Sequence, residues 1–297
     1  MNYTIHQLQI FLKVIQYESI TKASEQLFMT QPAVSIQLKN FQDQFDIPLT
    51  EVVGRQLYIT DFGKEIGVIA ERVIQELETI NYKTQAYKGV LTGKLKISSA
   101  STGKYVIPYF LSKFLEMNSG IDLVLDVTNK SKVIESLKKN EIDFALVSII
   151  PDSLDIEEEL LIENKLYLLS NQRESEEDKP LIYREEGSAT RKAMEKYFEK
   201  YQGKRRKRME LTSNEGVKQA VIAGLGNSIM PLIGIKNELI DGQLHILKAE
   251  GLPIKTSWRL IWLKGKKLSP VSEAYLRFLR AEKGKILQAK FDWYLKY

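Results

Sequence analysis

Residues 19–41 read SITKASEQLFMTQPAVSIQLKNF, a stretch that combines two helical patterns with a short interruption. Ser19 and Thr21 are both residue types that cap the N-terminus of a helix, and Thr30 can cap the second helix. Pro32 then falls in the first turn of that helix, where its missing backbone N–H group removes no hydrogen bond. The stretch therefore predicts two short helices that are joined by a tight turn.

The second of these predicted helices has an apolar side and a polar side. The apolar side chains follow helical spacing and are Val34, Leu38, Phe41 and Phe45. A second group projects to the opposite side or from the exposed helix start, namely Gln31, Pro32, Ser35, Ile36 and Lys39. Gln, Ser and Lys bind base edges and phosphates in the major groove of DNA. The pattern predicts a DNA-reading helix, and it equally fits a three-helix packing unit with a solvated polar face.

Two apolar runs flank Gly54 and Arg55 within residues 49–60, which is typical of a β-hairpin. Such a hairpin beside the helices would form a wing, with Arg55 at its tip near phosphates or the minor groove. An exposed arginine at a hairpin tip can also be solvated without contacting DNA. The interpretation of the wing therefore depends on the helices next to it.

The order of these motifs resembles the N-terminal domain of LysR-type transcriptional regulators. The matching positions are Ser19, Thr21, Ala23, Leu27, the run 30–38, Gly54, Arg55, Thr60 and Gly63. Ile36 stands where this family often has Arg, and Val52 replaces another common Arg. The resemblance implies a winged helix-turn-helix DNA-binding domain over residues 1–60. Its implied DNA-contacting residues are Ser19, Thr21, Thr30, Gln31, Pro32, Ser35, Ile36, Lys39 and Arg55.

Residues 61–89 contain no proline and predict one long helix that Asp61 could cap. A mostly apolar seam repeats along it with alternating spacings of four and three residues, which is typical of a coiled coil. The predicted dimerisation residues are Ile66, Ala70, Val73, Leu77 and Ile80, and the seam continues to Thr84 and Tyr87. The same seam could instead pack on the winged domain of its own chain. The LysR resemblance implies pairing of two chains through this helix, as a homodimer or a tetramer.

From residue 95 onward, short apolar strands alternate with helical faces, which predicts parallel α/β sheets. A strand–helix–strand–helix–strand order occurs twice, with the second copy over about residues 165–265. Polar loops follow several strands, at the sheet edge where α/β proteins bind ligands. The candidate effector-binding residues in these loops are Ser99, Ser101, Thr102, Thr128, Asn129, Ser148 and Asn227. Such residues suit a small anion, and they also serve as ordinary helix caps.

The whole of this region resembles the effector-binding domain of LysR-type regulators, which is similar to periplasmic binding proteins. The implied fold is an α/β effector domain of two subdomains over residues 90–297, after an all-α-rich winged helix-turn-helix. The implied boundaries are subdomain I at about 90–163 and 266–297, subdomain II at about 164–265, and crossover strands near 163–166 and 263–266. The resemblance places a small-molecule effector between the two subdomains.

Composition excludes several other classes of function. The 297 residues include no cysteine and only two histidines, so the sequence predicts no metal site and no cofactor. The formal charge is +5, but residues 1–60 hold four basic and five acidic side chains, so DNA binding there would depend on a few placed groups. A basic run at 204–208 could contact DNA, but the sequence favours a solvated loop before a strand. No nucleophile–base motif with catalytic spacing occurs, which argues against an enzyme.

The expected partners are double-stranded DNA, a small-molecule effector and a second copy of the chain, with RNA polymerase as a further candidate. No membrane partner is expected, because the sequence contains no long apolar run. The N-terminus lacks the pattern of a secretory signal, which predicts a cytoplasmic protein and argues against an exported solute-binding protein. The alternative is a ligand-binding α/β protein or an enzyme with an accessory winged helix.

Overall fold

A computed structural model describes residues 2–54, 56–87, 91–151, 153–174, 178–201 and 206–297, without the side chains of residues 75, 78, 79 and 81–87. The chain forms two compact units, Met1–Gly89 and Val90–Tyr297. Arg55 and residues 204–205 of the basic run lie outside the described residues. Each helix in the described ranges falls short of the length or hydropathy needed to span a bilayer.

The N-terminal unit contains three short helices, a hairpin and one long helix. In chain order they are α1 Ile5–Tyr17, α2 Ile20–Gln26, α3 Gln31–Gln42, β1 Thr50–Val53, β2 Gln56–Ile59 and α4 Asp61–Tyr87. Ser19 is the N-cap of α2, and its hydroxyl accepts a hydrogen bond from the backbone N–H of Lys22 at 3.3 Å. Thr21 lies inside α2 because Ser19 already occupies the cap, so the prediction that Thr21 could cap this helix is wrong.

An aromatic core holds α1 and α3 together. Phe11 and Phe41 are fully buried with their ring centroids 5.2 Å apart, and the ring of Phe45 lies 5.2 Å from that of Phe41. Val34 and Leu38 are buried on the same side of α3, as the helical spacing predicted. Because burial of one such side chain stabilises a fold by about 1.5–3 kcal/mol, this cluster determines which side of α3 faces outward.

The first half of α4 packs against its own unit. Ala70 is buried in the core described above, and Ile66 packs against that core. A Cβ atom at Gly67 would lie 2.5 Å from Cδ1 of Ile15, so α4 approaches α1 closely there. Ala70 is thus covered within its own unit, while Ile66 is half-buried, and a role of either residue in an intermolecular seam stays a prediction.

A different apolar stripe of α4 faces outward. Ile69, Val73 and Ile80 are 48%, 41% and 60% exposed, while Leu77 is half-buried. The predicted seam positions Thr84 and Tyr87 have side chains outside the described set. The outward stripe is thus rotated by about one residue from the predicted seam, with Val73 and Ile80 common to both.

The second unit alternates strands and helices. In chain order its elements are β3 Thr92–Ala100, α5 Ile107–Met117, β4 Gly120–Thr128, α6 Lys130–Lys138, β5 Phe144–Val147, β6 Ile156–Ser170, β7 Leu181–Arg184, α7 Ala189–Lys200, β8 Arg208–Leu211, α8 Asn214–Ile222, β9 Ser228–Pro231, α9 Lys236–Ile240, β10 His245–Leu247, β11 Ile254–Leu263 and α10 Pro270–Phe291. Short 3-10 helices cover Ser101–Tyr105, Leu232–Gly234 and Asp292–Lys296.

Two β-α-β-α-β units are present, but the sheet is mixed. β3 pairs in parallel with both β4 and β5, and β7 pairs in parallel with β8. A parallel bridge between Leu181 and Asn227 places the start of β9 on the other side of β7. The largest of the sheets described has seven strands. Six of them follow the order β10-β6-β11-β5-β3-β4, and the seventh, β9, also pairs with β6. Within this sheet β6, β10 and β11 run antiparallel to their neighbours. The predicted parallel pairing is thus present in both halves, and antiparallel strands that the sequence did not predict extend the sheet.

The long strands β6 and β11 join the two halves of this unit. Leu166 pairs with Pro231 of β9 and with Ile254 of β11, close to the predicted crossover at 163–166. Residues 259–261 of β11 pair with β5, so the second half of β11 belongs to the first subdomain. The second crossover therefore lies inside β11. The sequence predicted this crossover at 263–266 and a subdomain boundary at about 265, and both positions lie too late in the chain. One strand can gain a second neighbour along its length, which a hydropathy pattern does not reveal.

We expect Phe41→Ala to lower the free energy of unfolding of the N-terminal unit by about 3–5 kcal/mol, because it empties the centre of the aromatic core. Ile36→Ala is the control on the same helix, since Ile36 is 58% exposed, and its effect should stay within about 0.5 kcal/mol. Amide hydrogen exchange across residues 5–59 measures both effects. Equal losses of protection in the two variants would contradict the packing of α3.

Candidate nucleic-acid interface and ligand cleft

The outward side of α3 carries the residues that the sequence predicted to project there. Gln31, Pro32, Ile36 and Lys39 are exposed, and Ser35 is half-buried. Positions three and four residues apart lie next to each other on a helix surface, so 32, 35, 36 and 39 form one continuous stripe. The stripe combines amide, hydroxyl, ammonium and aliphatic groups, which together can contact base edges and phosphates.

The N-terminus of α3 adds backbone donors to this stripe. Thr30 occupies the N-cap in an extended backbone conformation, but its side chain makes no capping hydrogen bond within the described part of the chain. Thr30 is also exposed. The first N–H groups of α3 are thus positioned where a helix dipole favours a phosphate. Thr21 is exposed on α2, whereas Ser19 is half-buried and uses its hydroxyl to cap that helix.

The predicted wing is a β-hairpin. β1 and β2 are antiparallel, with Thr50 paired to Ile59 at one end and Val53 paired to Gln56 beside the turn. In the turn, Gly54 has φ of +67°, a left-handed conformation that suits glycine. Val53 is 62% exposed beside this turn. The predicted contact residue Arg55 lies outside the described residues.

In the second unit, Ser101 is bonded to the opposite subdomain. Its hydroxyl oxygen accepts a hydrogen bond from Nδ2 of Asn214 at 2.9 Å and from Nη1 of Arg184 at 3.3 Å. Ser101 follows β3 in the first subdomain, while Arg184 ends β7 and Asn214 begins α8 in the second. This Ser101–Arg184–Asn214 cluster connects the two subdomains. The space between the subdomains around this cluster is called the cleft below.

Arg184 and Asn214 are buried polar residues that the sequence analysis missed. Arg184 is 4% exposed, and two of its nitrogens donate to the two carboxylate oxygens of Glu185 at 2.7 and 2.8 Å. Asn214 is 5% exposed, and its Oδ1 atom has no hydrogen-bond partner among the described residues. The cluster thus combines a buried cation, a helix N-terminus and an unused acceptor. The sequence offered one signal for these two residues: Arg184 directly follows the apolar residues of a predicted strand, and Asn214 lies where a helix begins.

The other predicted cleft residues have varied surroundings. Thr102 and Ser148 are buried, at 6% and 8% exposure, and Ser99 donates its hydroxyl to the backbone oxygen of Ala100. Asn129 caps α6, where its side chain accepts from the N–H of Lys132 at 3.1 Å. Thr128 is half-buried at the end of β4.

Asn227 belongs to the interior of the second subdomain. It is fully buried, and its backbone N–H and C=O groups bond to Pro180 and Ile182 beside β7. Its backbone thus joins β9 to β7, and its predicted role as an effector contact stays a prediction.

An open cavity of 720 Å³ lies between the start of α6 and the loop that leads into α7. Lys130 and Ser131 line it from the first subdomain, and Gly187 and Arg191 from the second. A Cβ atom at Gly187 would lie 2.7 Å from the hydroxyl of Ser131, so the two sides are in close contact at one edge. Hydrogen bonding to Glu195 raises the pKa of Arg191 above its usual value. Within the described residues, no cluster of three His, Asp or Glu side chains could hold a metal ion.

A winged helix-turn-helix followed by a two-subdomain α/β unit is the architecture of a ligand-responsive DNA-binding regulator. Residues 5–64 match the profile described as "Bacterial regulatory helix-turn-helix protein, lysR family", and residues 88–284 match "LysR substrate binding domain". The chain therefore belongs to the LysR family of transcriptional regulators.

Several relatives are similar over nearly the whole chain. The HTH-type transcriptional activator CmpR of Synechocystis is 34% identical over 291 residues, which cover 94% of this chain and 96% of CmpR. The RuBisCO operon transcriptional regulator of Allochromatium vinosum is 35% identical over 295 residues, which cover 95% of this chain and 97% of the relative. The solved regulatory domain of Synechocystis CcmR in complex with 2-PG is 31% identical and covers 65% of this chain and 98% of its own, with a TM-score of 0.61.

Proposed function

We propose that this regulator reads DNA with the outward stripe of α3 and responds to a small anion bound at the Ser101–Arg184–Asn214 cluster. The observation that carries this proposal is the buried guanidinium of Arg184, which bonds across the cleft to Ser101. Glu185 already balances the charge of Arg184, but the bond from Nη1 to Ser101 crosses between the subdomains, so an anion that replaces Ser101 there would affect their arrangement. The 2-PG complex of the related CcmR domain supports this choice of ligand class.

The effector would compete with Ser101 for two donors. An anion that enters the cleft can accept from Nη1 of Arg184, while a hydroxyl on the same ligand can donate to Oδ1 of Asn214, the unused acceptor. The ligand changes the equilibrium between subdomain arrangements only by its difference in affinity for them, which is about 1–3 kcal/mol in allosteric proteins. We propose Thr102, Thr128, Asn129, Ser148 and Ser99 as the surrounding cleft residues.

On DNA, the α3 stripe would combine base reading with positioning. Gln31 and Ser35 offer amide and hydroxyl groups for base edges, Lys39 offers an ammonium for phosphate, and Ile36 offers an aliphatic contact for a thymine methyl group. Pro32 has no backbone N–H group, so it adds no hydrogen-bond donor to the first turn of α3. Ser19, Thr21 and Thr30 lie at or near the starts of α2 and α3, and Arg55 belongs to the predicted wing. These groups would position the unit on the duplex backbone.

We further propose that two chains associate through Ile69, Val73 and Ile80 on α4, with Leu77 at the margin. Spacings of four and seven residues keep these three side chains on one helical stripe, which suits a coiled-coil contact. A symmetric dimer would match a two-fold DNA site. Further pairing into tetramers and contact with RNA polymerase fit a regulator of this family.

We propose that the chain catalyses no reaction and acts in the cytoplasm. Its relatives are named as transcriptional regulators, which supports a binding function over the enzyme alternative. In the cleft, Glu185 is already bonded to Arg184 and is poorly placed to act as a base.

The double variant Gln31→Ala/Ser35→Ala should bind its preferred DNA sites with less discrimination, by about 1–3 kcal/mol for each lost base contact. Selection from random DNA identifies the sites, and titration against selected and scrambled duplexes measures the loss. Gln16→Ala, which changes an exposed glutamine of α1, should behave like the wild type. Unchanged discrimination in the double variant would refute the assignment of α3 as the reading helix.

Ile80→Asp should weaken self-association by more than about tenfold, because it places a charge in an apolar contact. Val68→Asp is the matched control, since Val68 is 59% exposed on α4 but points about 100° away from Ile69. Sedimentation velocity over a range of concentrations measures both variants. If Ile80→Asp keeps the wild-type mass distribution, the stripe is not the interface.

The variant Asn214→Ala should bind 2-PG at least about fivefold more weakly, as expected for loss of a hydrogen bond to a charged ligand. Ser101→Ala should bind 2-PG more tightly, because the ligand no longer competes with the serine hydroxyl for Arg184 and Asn214. Calorimetric titration of the full chain measures the affinity, and DNA binding without 2-PG should be unchanged. Ser131→Ala, in the neighbouring open cavity, serves as the control. Equal affinities in all four proteins would remove the cluster from the effector site.

A further inference from the structure

A second cavity lies at the junction of the two subdomains, beneath the C-terminal 3-10 helix Asp292–Lys296. It has a volume of 170 Å³. Tyr105 and Tyr109 line it from the first subdomain, Gly234 and Lys236 from the second, and Trp293 from the C-terminal segment. None of these residues belongs to the Ser101–Arg184–Asn214 cluster, so an occupant here would contact a separate set of side chains.

The two subdomains meet closely at the edge of this cavity. A Cβ atom at Gly234 would lie 3.0 Å from Cε2 of Tyr105, so the backbone of the second subdomain rests against a ring of the first. The hydroxyl of Tyr105 also reaches Oε2 of Glu215 in α8 at 3.5 Å. Any molecule in the cavity would therefore contact both sides of the junction.

The C-terminal segment forms a fixed wall of the cavity. Tyr294 is 2% exposed, and its hydroxyl accepts a hydrogen bond from the backbone N–H of Lys165 in β6 at 2.8 Å. Phe291 stacks on Phe110 of α5 with ring centroids 5.8 Å apart. The hydroxyl of Tyr167 donates to the terminal residue's backbone oxygen. These contacts hold Trp293 in place between Tyr294 and α9.

The charged groups of the lining favour an anion. Three lysines and one glutamate line the cavity. The glutamate, Glu238, is bonded to Lys218 at 2.6 Å, and Lys218 also contacts Glu215 at 3.2 Å. Burial alone would lower the pKa of Lys218, but these bonds outweigh it and raise the pKa. Because this lysine is matched by carboxylates, the remaining positive charge belongs to Lys236 and Lys290.

The aromatic groups of the lining favour a flat molecule. The ammonium of Lys236 lies 5.1 Å from the ring centroid of Trp293, which places a cation directly beside an aromatic face. The ring of Tyr109 is 5.4 Å from that of Phe291 on the same side of the cavity. A planar anion can pack its ring against such faces while its charge meets an ammonium group.

We propose that this cavity, the tail pocket, binds a small planar aromatic carboxylate. The ring would lie against Tyr109 and the edge of Trp293, because Lys236 already stands over the face of Trp293, and the carboxylate would accept from Lys236 and Lys290. Because the occupant contacts both subdomains and the C-terminal segment on β6, its binding would influence the same subdomain arrangement as an effector in the cleft. The tail pocket does not depend on the proposed anion site at Ser101, since the two share no lining residue.

Benzoate is the probe for this site, and calorimetric titration of the full chain measures its affinity. Tryptophan fluorescence provides a second signal, because Trp293 lines the pocket while Trp258 and Trp262 are buried at 1% and 3% exposure. We expect saturable binding of benzoate with a change in fluorescence. Benzamide lacks the charge and cyclohexanecarboxylate lacks the flat ring, and we expect both to bind at least about tenfold more weakly. Equal binding of either compound would overturn the proposed ligand class.

The double variant Lys236→Gln/Lys290→Gln should bind benzoate at least about tenfold more weakly, as expected when hydrogen bonds to a charged group are lost. Lys200→Gln is the matched control, because the ammonium of Lys200 lies 5.0 Å from the ring of Tyr201 away from the pocket. Absence of binding by the wild type, equal affinity in the double variant, or an equal loss of affinity in Lys200→Gln would each overturn the proposal.

Discussion

The antiparallel pairing of β6 with β11 is the constraint on which the effector-binding unit depends. Ile156 pairs with Leu263 at one end of this ladder, and Leu166 pairs with Ile254 at the other end. The ladder passes from one subdomain into the other. Its backbone hydrogen bonds keep the halves joined while side chains across the cleft exchange partners. A register shift between Trp258 and Arg259 interrupts this ladder, and such irregularities increase the local twist of a strand pair. Any relative motion of the subdomains would therefore bend and twist these two strands.

Burial of Arg184 determines the chemistry of the cleft. A buried guanidinium requires a partner, and the adjacent Glu185 meets it through two hydrogen bonds, so the charge is balanced before any ligand arrives. The contact with Ser101 is the weaker and longer one, at 3.3 Å, and it is the contact that crosses between subdomains. An anion that replaced Ser101 would share Arg184 with Glu185 and would add a negative charge to a pair that is already balanced. The net gain in interaction energy would therefore be modest, which suits a reversible regulator.

Local signals in the sequence predicted the helical unit well, because caps and apolar spacing act over a few residues. Ser19 caps α2, and Val34, Leu38 and Phe41 face the core as their spacing required. Two adjacent stripes of α4 are apolar, and only packing on α1 decides that Ala70 turns inward. The DNA contacts themselves stay a prediction.

In the α/β unit, the strands and helices were predictable, while their partners were not. β11 pairs with β6 along its whole length and gains β5 as a second neighbour only over residues 259–261. Asn227 joins β7 through its backbone, and neither pairing follows from hydropathy. Arg184 and Asn214 were missed for the same reason. They are far apart in sequence, and only the folded sheet brings both to Ser101.

The narrow gap between Gly187 and Ser131 has a consequence for how the regulator can diverge. Gly187 has φ of +80°, and any side chain there would meet the serine hydroxyl, so the present approach of the two halves requires a residue without a β-carbon. A substitution of Gly187 would place a side chain against Ser131 and would favour an arrangement in which the two subdomains lie further apart. Responsiveness could then be retuned in a descendant without altering any group that touches ligand or operator.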